Sequence, residues 1–404
     1  MDCISRRTFV KHTALGALGV GLSLGTAVAG ETPAPRVLKQ GDMVYRRLGR
    51  TNLMVSELSV GGSPNPEPAA FTDALDRGMN FVDSSAAYPG SEENIGVVTQ
   101  GRRDRVIICT KTHLPATDLK LSVIAACEKA LGKLRTDHID VWCIHGIVKP
   151  EQFLHDEVQA AFERLKQDGK IRFFGVSCHS PVGALPPIIR SGKLDVALIP
   201  FNVFSGSTVR KEDVDAGKVY DNWLADSGLE SVLELARAND IGVVAMKTMS
   251  GGARQKLDAY QAGGAALAQA KLKWVLSNAA IASALSEVLS YKILEENLGA
   301  VGKTLTADDQ AMLQDHVREA SAQVCRMCGR CESACPARLP ICDILRYVTY
   351  HDLHAKRDFA RAAYRERLAH GALPACGDCS ACRQACPHGL NVPGRLGRAR
   401  EVLA

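Results

Sequence analysis

Residues 79–96, MNFVDSSAAYPGSEENIG, form the stretch on which the interpretation of the whole chain depends. Met79–Val82 is a short apolar run typical of a buried strand, and Asp83 follows at its end. Ser84–Gly90 is a loop of small residues that carries one tyrosine, Tyr88, and a helix with two acids in its first turn is expected after it. An acid at a strand end and a phenol in the next loop can present a proton donor in a barrel enzyme. A chance pairing of these residue types in a loop is the alternative at this point.

Short apolar runs alternate with amphipathic segments of helical length on both sides of this stretch. Eight such repeats in about 260 residues favour an α/β fold of the TIM (β/α)8 barrel type over the alternative, a doubly wound sheet. A hairpin over residues 45–59, turning at Arg50-Thr51-Asn52, is expected to close the barrel floor. The parallel strands are predicted to end near Val60, Asp83, Thr110, His145, Ser177, Asn202, Met246 and Leu285.

The carboxyl ends of barrel strands are where this fold places its chemistry. Asp83 ends the second predicted strand, Lys111 follows the third, and His145 ends the fourth. Taken singly, Lys111 is compatible with a surface lysine and His145 with a core histidine. Together with Tyr88 they would face one mouth of the barrel, and this grouping predicts a catalytic set.

Several segments between about residues 44 and 300 resemble the aldo-keto reductases. They are RRLGRTNLMVSELSVGG, MNFVDSSAAYPGSEENIG, KALGKLRTDHIDVWCIH, LKQDGKIRFFGVS and IGVVAMKTMSGG. The resemblance implies a catalytic tetrad of Asp83, Tyr88, Lys111 and His145, acting on an aldehyde, ketone or sugar-like carbonyl or alcohol substrate. In these roles Lys111 would lower the pKa of the Tyr88 phenol, Asp83 would orient Lys111, and His145 would hydrogen-bond the substrate oxygen.

The resemblance also implies a nicotinamide cofactor, NADP(H), although several family positions differ here. Cys178 stands where the family usually has Asn, Leu198 where it has Gln, and Met246 where it often has a ring-stacking aromatic residue. The glycines after Met246 are equally compatible with an ordinary loop turn. The expected cofactor contacts are Ser177, Cys178, Asn202, Lys247, Ser250, Gly251, Glu296 and Asn297.

The C-terminal 80 residues contain two matched C-x2-C-x2-C-x3-C-P runs, a spacing that wraps a [4Fe–4S] cluster. In two-cluster ferredoxins the fourth cysteine of each run binds the other cluster. One expected ligand set is therefore Cys325, Cys328, Cys331 and Cys386, and the other is Cys376, Cys379, Cys382 and Cys335. Disulfides and zinc are the alternatives, but zinc leaves no role for two matched runs of four cysteines.

The charge of the chain supports this interpretation of the tail. Residues 325–404 hold 13 Lys/Arg against 7 Asp/Glu, an excess suited to anionic thiolate clusters. Nucleic acid could also bind a basic tail, but no nucleic-acid-binding motif is present, and none is expected as a partner. Buried, unreactive thiols are expected at the remaining cysteines outside the leader, which are Cys109, Cys127, Cys143, Cys178 and Cys342.

The N-terminal leader carries Ser5-Arg6-Arg7-Thr8-Phe9-Val10-Lys11, followed by a weakly apolar, glycine-rich stretch and Ala27-Val28-Ala29. Paired arginines before such a stretch resemble a twin-arginine signal, which the Tat translocase reads. A general secretory signal and an uncleaved anchor are the alternatives. The expected location is therefore the periplasm, with membrane association if the signal is retained.

The expected organisation is a signal peptide (1–29), a barrel (41–303), a linker helix (304–324) and a small, mainly helical two-cluster domain (325–404). The expected function is an exported oxidoreductase coupled to electron transfer with a periplasmic donor or acceptor. The alternative is an electron-transfer iron–sulfur protein whose barrel is a docking scaffold without catalysis.

Overall fold

The computed structural model describes residues 36–115, 117–179, 181–204, 228–249, 267–320, 325–352, 357–367 and 379–404. Residues 34–404 belong to one compact unit. The twin-arginine motif and the expected cleavage site lie outside the described residues, as do Ser250, Gly251 and Cys376. No helix in the described ranges has the length and apolar content needed to cross a membrane.

An antiparallel sheet at the start of the described chain forms the floor of the barrel. Its strands are β1 (Val37–Gln40), β2 (Met43–Arg47) and β3 (Met54–Ser56), paired in that order. The turn between β2 and β3 is a single 3-10 turn, Gly49–Thr51, as the sequence predicted. Strand β1 is an addition that the sequence pattern did not indicate. The Arg47 guanidinium pairs with Asp240 at 2.7 Å, which fixes the floor to the segment just before the strand Gly242–Met246.

Eight parallel strands then close into a barrel, which confirms the predicted fold and excludes the doubly wound sheet. Each predicted strand end lies within two residues of the observed one. The strands are β4 (Leu58–Gly61), β5 (Phe81–Asp83), β6 (Ile107–Thr112), β7 (Ile139–Ile147), β8 (Ile171–Cys178), β9 (Val196–Pro200), β10 (Gly242–Met246) and β11 (Ile281–Ser286).

Helices cover the outside of the barrel. Those described are α1 (Pro68–Asp76), α2 (Ser91–Val98), α3 (Leu119–Leu134), α4 (Pro150–Leu154), α5 (Asp156–Gln167), α6 (Pro181–Arg190), α7 (Leu229–Ala238), α8 (Leu267–Leu276) and α9 (Tyr291–Leu298).

Alternation along the strands divides the hydrophobic core into two layers. In β7, Val141 and Cys143 point into the barrel, whereas Trp142 and Ile144 pack against the surrounding helices. Leu48 from the floor joins the inner layer and fills the barrel from below. Because His145 follows Cys143 by two residues, the same alternation brings it to the mouth of the barrel.

The tail begins with α10 (Ala307–Ala320), which corresponds to the predicted linker helix. Thr306 and Asp309 cap its start reciprocally: the Asp309 N–H donates to Thr306 Oγ1, and the Thr306 N–H donates to the Asp309 carboxylate. Lys273 of α8 pairs with Asp309 at 2.9 Å, so the linker is fixed to the barrel.

The remainder of the tail is mainly helical, as predicted. Its helices are α11 (Arg330–Ser333), α12 (Ile341–Asp352), α13 (Arg357–Arg367), α14 (Ala381–Gln384) and α15 (Val392–Leu403). Each cysteine run forms one short helix around its third cysteine, Cys331 in α11 and Cys382 in α14, and both thiols are buried in the tail's own core. The described parts of the two runs therefore have the same local structure.

Candidate active site

Asp83 and Lys111 form a buried ion pair at the carboxyl ends of β5 and β6. Lys111 Nζ donates to the Asp83 carboxylate and, at 2.6 Å, to the Ser84 carbonyl oxygen. Burial lowers the pKa of Lys111, but the charges of Asp83, Tyr88 and Cys109 and the hydrogen bond to Asp83 together outweigh it, so the net pKa is raised. The lysine is therefore a fixed positive charge at neutral pH.

Tyr88 lies beside this pair in the loop after β5. Lys111 Nζ is 5.3 Å from the centre of the tyrosine ring, and the ring meets His145 edge-on at 5.6 Å between centroids. Burial raises the pKa of Tyr88 to about 12, although Lys111 opposes this shift. The expected lowering of the phenol pKa by Lys111 is therefore outweighed, because desolvation of the phenolate is the larger effect. The phenol is protonated throughout the neutral range.

His145 occupies the mouth of the barrel in β7. Its Nδ1 is 2.7 Å from Ser85 Oγ, and its ring lies 4.3 Å from the ring of His113. Burial lowers the pKa of His145 well below its usual range, and the charges of His113 and Lys111 lower it further. The imidazole is thus neutral at neutral pH. When Ser85 donates to Nδ1, the remaining proton is on Nε2, where it can be donated to a ligand oxygen.

The structure therefore brings the four predicted residues together from β5, the next loop, β6 and β7. A protonated phenol and a neutral imidazole lie next to a permanent ammonium. This arrangement can donate a proton to an oxygen and stabilise negative charge as that charge develops. It is suited to the reduction of a carbonyl group or, in reverse, to the oxidation of an alcohol.

A cavity of about 440 Å³ opens beside Tyr88 and Asp83. Its walls come from the segments that follow β4, β5, β10 and β11, with Met246 among them. Gly62 is required in this wall, because a Cβ there would lie 2.5 Å from the Asp83 carbonyl oxygen. Its roof comes from the tail and consists of Tyr350 in α12 together with Arg357, Asp358 and Phe359 in α13.

Of the predicted cofactor contacts that the structure describes, only Lys247 lines this cavity. Ser177 Oγ accepts a hydrogen bond from the Gly146 N–H at 2.9 Å, and Cys178 is fully buried in the layer between barrel and helices. Asn202 does not line the cavity, but its side-chain amide donates a hydrogen bond to the carbonyl oxygen of Lys247 at 3.0 Å and so helps to position that residue.

The two predicted cofactor contacts in α9, Glu296 and Asn297, do not line the cavity either. Asn297 donates to the carbonyl of Glu287 at 3.1 Å, and Glu287 itself lines the cavity. Glu296 is partly exposed on the same helix and is not part of the lining.

Four functional candidates were missed in the sequence: His113, His179, Arg346 and Tyr350. His113 and His179 each lie two residues beyond a predicted site residue, Lys111 and Ser177, so strand alternation was the signal that could have found them. Arg346 of α12 donates to His179 Nε2 and pairs with Asp343 at 3.0 Å. Since the contact between Arg346 and His179 joins residues far apart in the chain, no local pattern indicates it.

A second, much smaller cavity lies within the tail. Cys325, Cys328, Cys331 and Cys386 all line it, and they are the four members of the first predicted ligand set. Cys342 also lines it and hydrogen-bonds to Cys325. The sequence therefore predicted the burial of Cys342 correctly but not its position against these thiols.

No group of three or more His, Cys, Asp or Glu side chains in the described ranges is arranged to hold a metal ion. The ligands of a four-iron cluster are arranged differently from those of a single metal ion. Each of the four irons binds one thiolate, so the four thiolates surround the cluster and do not converge on one point. Of the second predicted set, Cys382 is buried, Cys335 is half-buried and Cys379 is exposed.

Residues 63–263 match the model of the Aldo/keto reductase family. Uncharacterized oxidoreductase YqkF from Bacillus subtilis (strain 168) is 26% identical over 306 residues, which cover 69% of this chain and 97% of that protein.

Two solved structures share the fold. The holo form of aldo-keto reductase AKR11C1 from Bacillus halodurans superposes with a TM-score of 0.54 at 21% identity, covering 67% of this chain and 95% of that one. The aldo-keto reductase from Klebsiella pneumoniae in complex with NADPH superposes with a TM-score of 0.50 at 22% identity, covering 67% and 93%.

Proposed function

Because the chain belongs to the aldo/keto reductase family and is an oxidoreductase, we propose that it interconverts a small carbonyl compound and the corresponding alcohol at Tyr88. The observation that carries this proposal is the contact of Tyr88 with both Lys111 and His145 at the edge of the cavity. In the reducing direction, Tyr88 Oη gives its proton to the carbonyl oxygen as hydride reaches the carbonyl carbon. His145 hydrogen-bonds the same oxygen, and Lys111 stabilises the tyrosinate that remains.

A bound nicotinamide would supply the hydride. The cavity beside Tyr88 suits such a group, since Met246 offers an apolar surface where family members often place an aromatic ring. The fold shared with the NADPH complex from Klebsiella pneumoniae supports NADP(H) as this cofactor. Lys247, with Ser250 and Gly251 beyond it, would hold the phosphate-bearing part.

Two [4Fe–4S] clusters are proposed for the tail, and they would supply one-electron transfer. The convergence of Cys325, Cys328, Cys331 and Cys386 on one cavity supports the first, because two of these positions are about sixty residues apart in the sequence. The repeated helices α11 and α14 support a second, equivalent set at Cys376, Cys379, Cys382 and Cys335. Arg326 and Arg330 contribute positive charge beside the first thiolate set.

We further propose that the protein is exported by the Tat translocase and works in the periplasm with an electron donor or acceptor there. The SRRTFVK motif supports this route. A folded, cofactor-loaded protein is the cargo that this route carries. Clusters assembled in the cytoplasm would then reach the periplasm intact.

Replacement of Tyr88 by Phe tests the catalytic proposal, because it removes the proton and keeps the ring. Turnover of carbonyl substrates should fall by about 10²- to 10⁴-fold, the range for loss of a positioned general acid. Tyr45→Phe is the matched control, since the Tyr45 hydroxyl pairs with the Gly78 carbonyl near the barrel floor and its loss should leave turnover unchanged.

Assays should use both NADPH and an artificial one-electron acceptor. The proposal would be contradicted if the Tyr88→Phe variant kept wild-type activity in an assay in which the wild type is active. The protein would then be an electron-transfer protein with a barrel scaffold.

A further inference from the structure

Two buried thiols lie beneath the catalytic residues in the barrel. Cys109 in β6 and Cys143 in β7 belong to the inner layer of the core, and both are fully buried. Their sulfur atoms are 3.7 Å apart. Lys111 follows Cys109 by two residues and His145 follows Cys143 by two, so each thiol lies on the same side of its strand as a member of the tetrad. The thiols therefore separate the apolar filling of the barrel from its catalytic mouth.

Cys109 also lies next to Asp83 on the neighbouring strand. The two residues are direct partners in the parallel pairing of β5 with β6. The Ser84 N–H donates to the Cys109 carbonyl oxygen at 2.8 Å, which continues this pairing beyond the end of β5. Both side chains are buried, and the Cys109 thiol hydrogen-bonds to the Asp83 carboxylate. The catalytic carboxylate thus contacts a second group of β6 besides Lys111.

The protonation of Cys109 determines the direction of these hydrogen bonds. Burial raises the pKa of Cys109 well above its usual value, and the hydrogen bond with Cys143 raises it further, so the group is a thiol at neutral pH. A thiol carries one hydrogen, whereas an ionised carboxylate can only accept. Cys109 therefore donates to Asp83, and Cys143 donates to the sulfur of Cys109. The hydrogen bonds run from Cys143 through Cys109 to the catalytic carboxylate.

Asp83 depends on such donors because it is buried. Burial raises the pKa of Asp83, whereas the charge and hydrogen bond of Lys111, the hydrogen bond of Cys109 and the charge of Lys247 lower it. Tyr88 also lies beside this carboxylate, but it carries no charge while its phenol is protonated. Because the thiol is neutral, its hydrogen bond can be removed by substitution while the ion pair with Lys111 stays in place.

On the basis of the proposed function, we propose that Cys109 is a positioning residue of the active site: its thiol holds the Asp83 carboxylate in the orientation in which it fixes Lys111 beside Tyr88. Lys111 stabilises the tyrosinate that remains after proton transfer, so its placement affects the rate. A carboxylate held by two donors rotates less freely than one held by a single donor, and small errors of placement are costly in catalysis. Cys109 does not line the ligand cavity and acts through Asp83.

The kinetic test compares Cys109→Ala, which removes the donor, with Cys109→Ser, which keeps one. The Ala variant should lower kcat for carbonyl reduction by about 3- to 10-fold, the range for the net effect of one hydrogen bond. KM should change by less than about 2-fold, because no group in contact with the substrate is removed. The Ser variant should recover most of kcat. Cys127→Ala is the matched control, since it removes a buried thiol from α3 and should leave kcat unchanged.

The pH profile separates positioning from a merely structural role. Since the Cys109 hydrogen bond lowers the pKa of Asp83, the Ala variant should raise that pKa. On acidification, kcat/KM should therefore fall at a higher pH in Cys109→Ala than in the wild type, and Cys109→Ser should reverse this shift. A structural role would lower stability in urea unfolding and leave the profile in place. An unmoved profile in the Ala variant, or a Ser variant as impaired as the Ala variant, would overturn the proposal.

Infrared spectroscopy tests the contact without turnover. The difference spectrum between wild type and Cys109→Ala isolates the S–H stretching band of Cys109. Asp83→Asn replaces the carboxylate by a weaker acceptor and should move this band to higher frequency. If that variant fails to fold, acidification of the wild type, which protonates Asp83, should move the band in the same direction.

The spectra also distinguish this proposal from the catalytic one. A band that stays in place when Asp83 loses its charge overturns the positioning role, whatever the protein turns over. A band that moves in a protein without carbonyl turnover supports the contact between Cys109 and Asp83 and contradicts the proposed function alone.

Discussion

Arg346 in the tail and His179 at the end of β8 are hydrogen-bonded, and Asp343 lies within ion-pair distance of both. All three side chains are buried, and the arginine contributes to keeping the pKa of His145 low. The tail is thus attached to the barrel at the catalytic mouth.

Arg346→Met should destabilise the protein by about 3–5 kcal/mol, because it removes the arginine charge that compensates the buried Asp343 carboxylate. The double variant Arg346→Met with Asp343→Asn removes both charges and should recover most of the loss. Urea unfolding of the cofactor-loaded protein measures both. Equal stability of the single and double variants would contradict a role for the ion pair.

The pH profile of carbonyl reduction should be flat across the neutral range. Tyr88 holds its proton below a pKa of about 12, and His145, whose pKa is lowered, is neutral above its own value. Neither group therefore changes charge between about pH 7 and 9. With unperturbed pKa values of ~6.5 for the histidine and ~10 for the tyrosine, partial titration would be visible at the two ends of this range. Measurement of kcat/KM against pH checks this, and a decline on approaching pH 10 that disappears with Tyr88→Phe would contradict it.

Gly175→Ala should destabilise the inner layer of the barrel. A Cβ at this position would lie 2.4 Å from Cys143 Sγ and 3.1 Å from the Val196 carbonyl oxygen. Overpacking of this kind costs about 1–3 kcal/mol. Cys143→Ala in the same chain removes the nearer obstacle and should restore part of the stability in urea unfolding. If the second substitution adds to the damage, Cys143 is not the obstacle.

Cys331→Ala should lower the iron content from about eight to about four atoms per chain, because Cys331 belongs to only one of the two expected ligand sets. Cys127→Ala is the control, since Cys127 is a buried thiol in α3 of the barrel. Iron analysis and electron paramagnetic resonance of anaerobically purified protein provide the measurement. Zinc in place of iron, or an unchanged iron count, would refute the assignment of these cysteines.

Replacement of Arg6 and Arg7 by Lys should retain the full-length precursor, with its iron, in the cytoplasm. The twin-arginine pair is the recognised part of this type of signal. Cell fractionation follows the precursor, and Arg36→Lys, beyond the expected cleavage site, is the control. Normal periplasmic appearance of the double variant would favour the general secretory route.

The barrel was predictable because its pattern is local. Apolar runs fix where β5 and β7 end, and strand alternation then places Asp83 and His145 at one mouth. The cysteine spacing likewise identified Cys331 and Cys386, which the fold brings to one cavity.

What escaped sequence reasoning depends on packing between distant parts of the chain. Tyr350 carries no signal of its own, since a tyrosine on a tail helix usually belongs to the core. The raised pKa of Tyr88 was missed for a related reason: the identity of its neighbour Lys111 is visible in the sequence, whereas the extent of burial is not.

The ligand cavity has Gly62 in its wall and Phe359 in its roof, so it is built from both ends of the barrel-and-tail unit. During synthesis the ribosome completes the wall long before the roof, and only a chain translated almost to its end can enclose a ligand. Pairing of such distant segments is also a slow step in folding. A ligand bound under this roof would stabilise only the chain whose tail has folded, since the roof is absent before then.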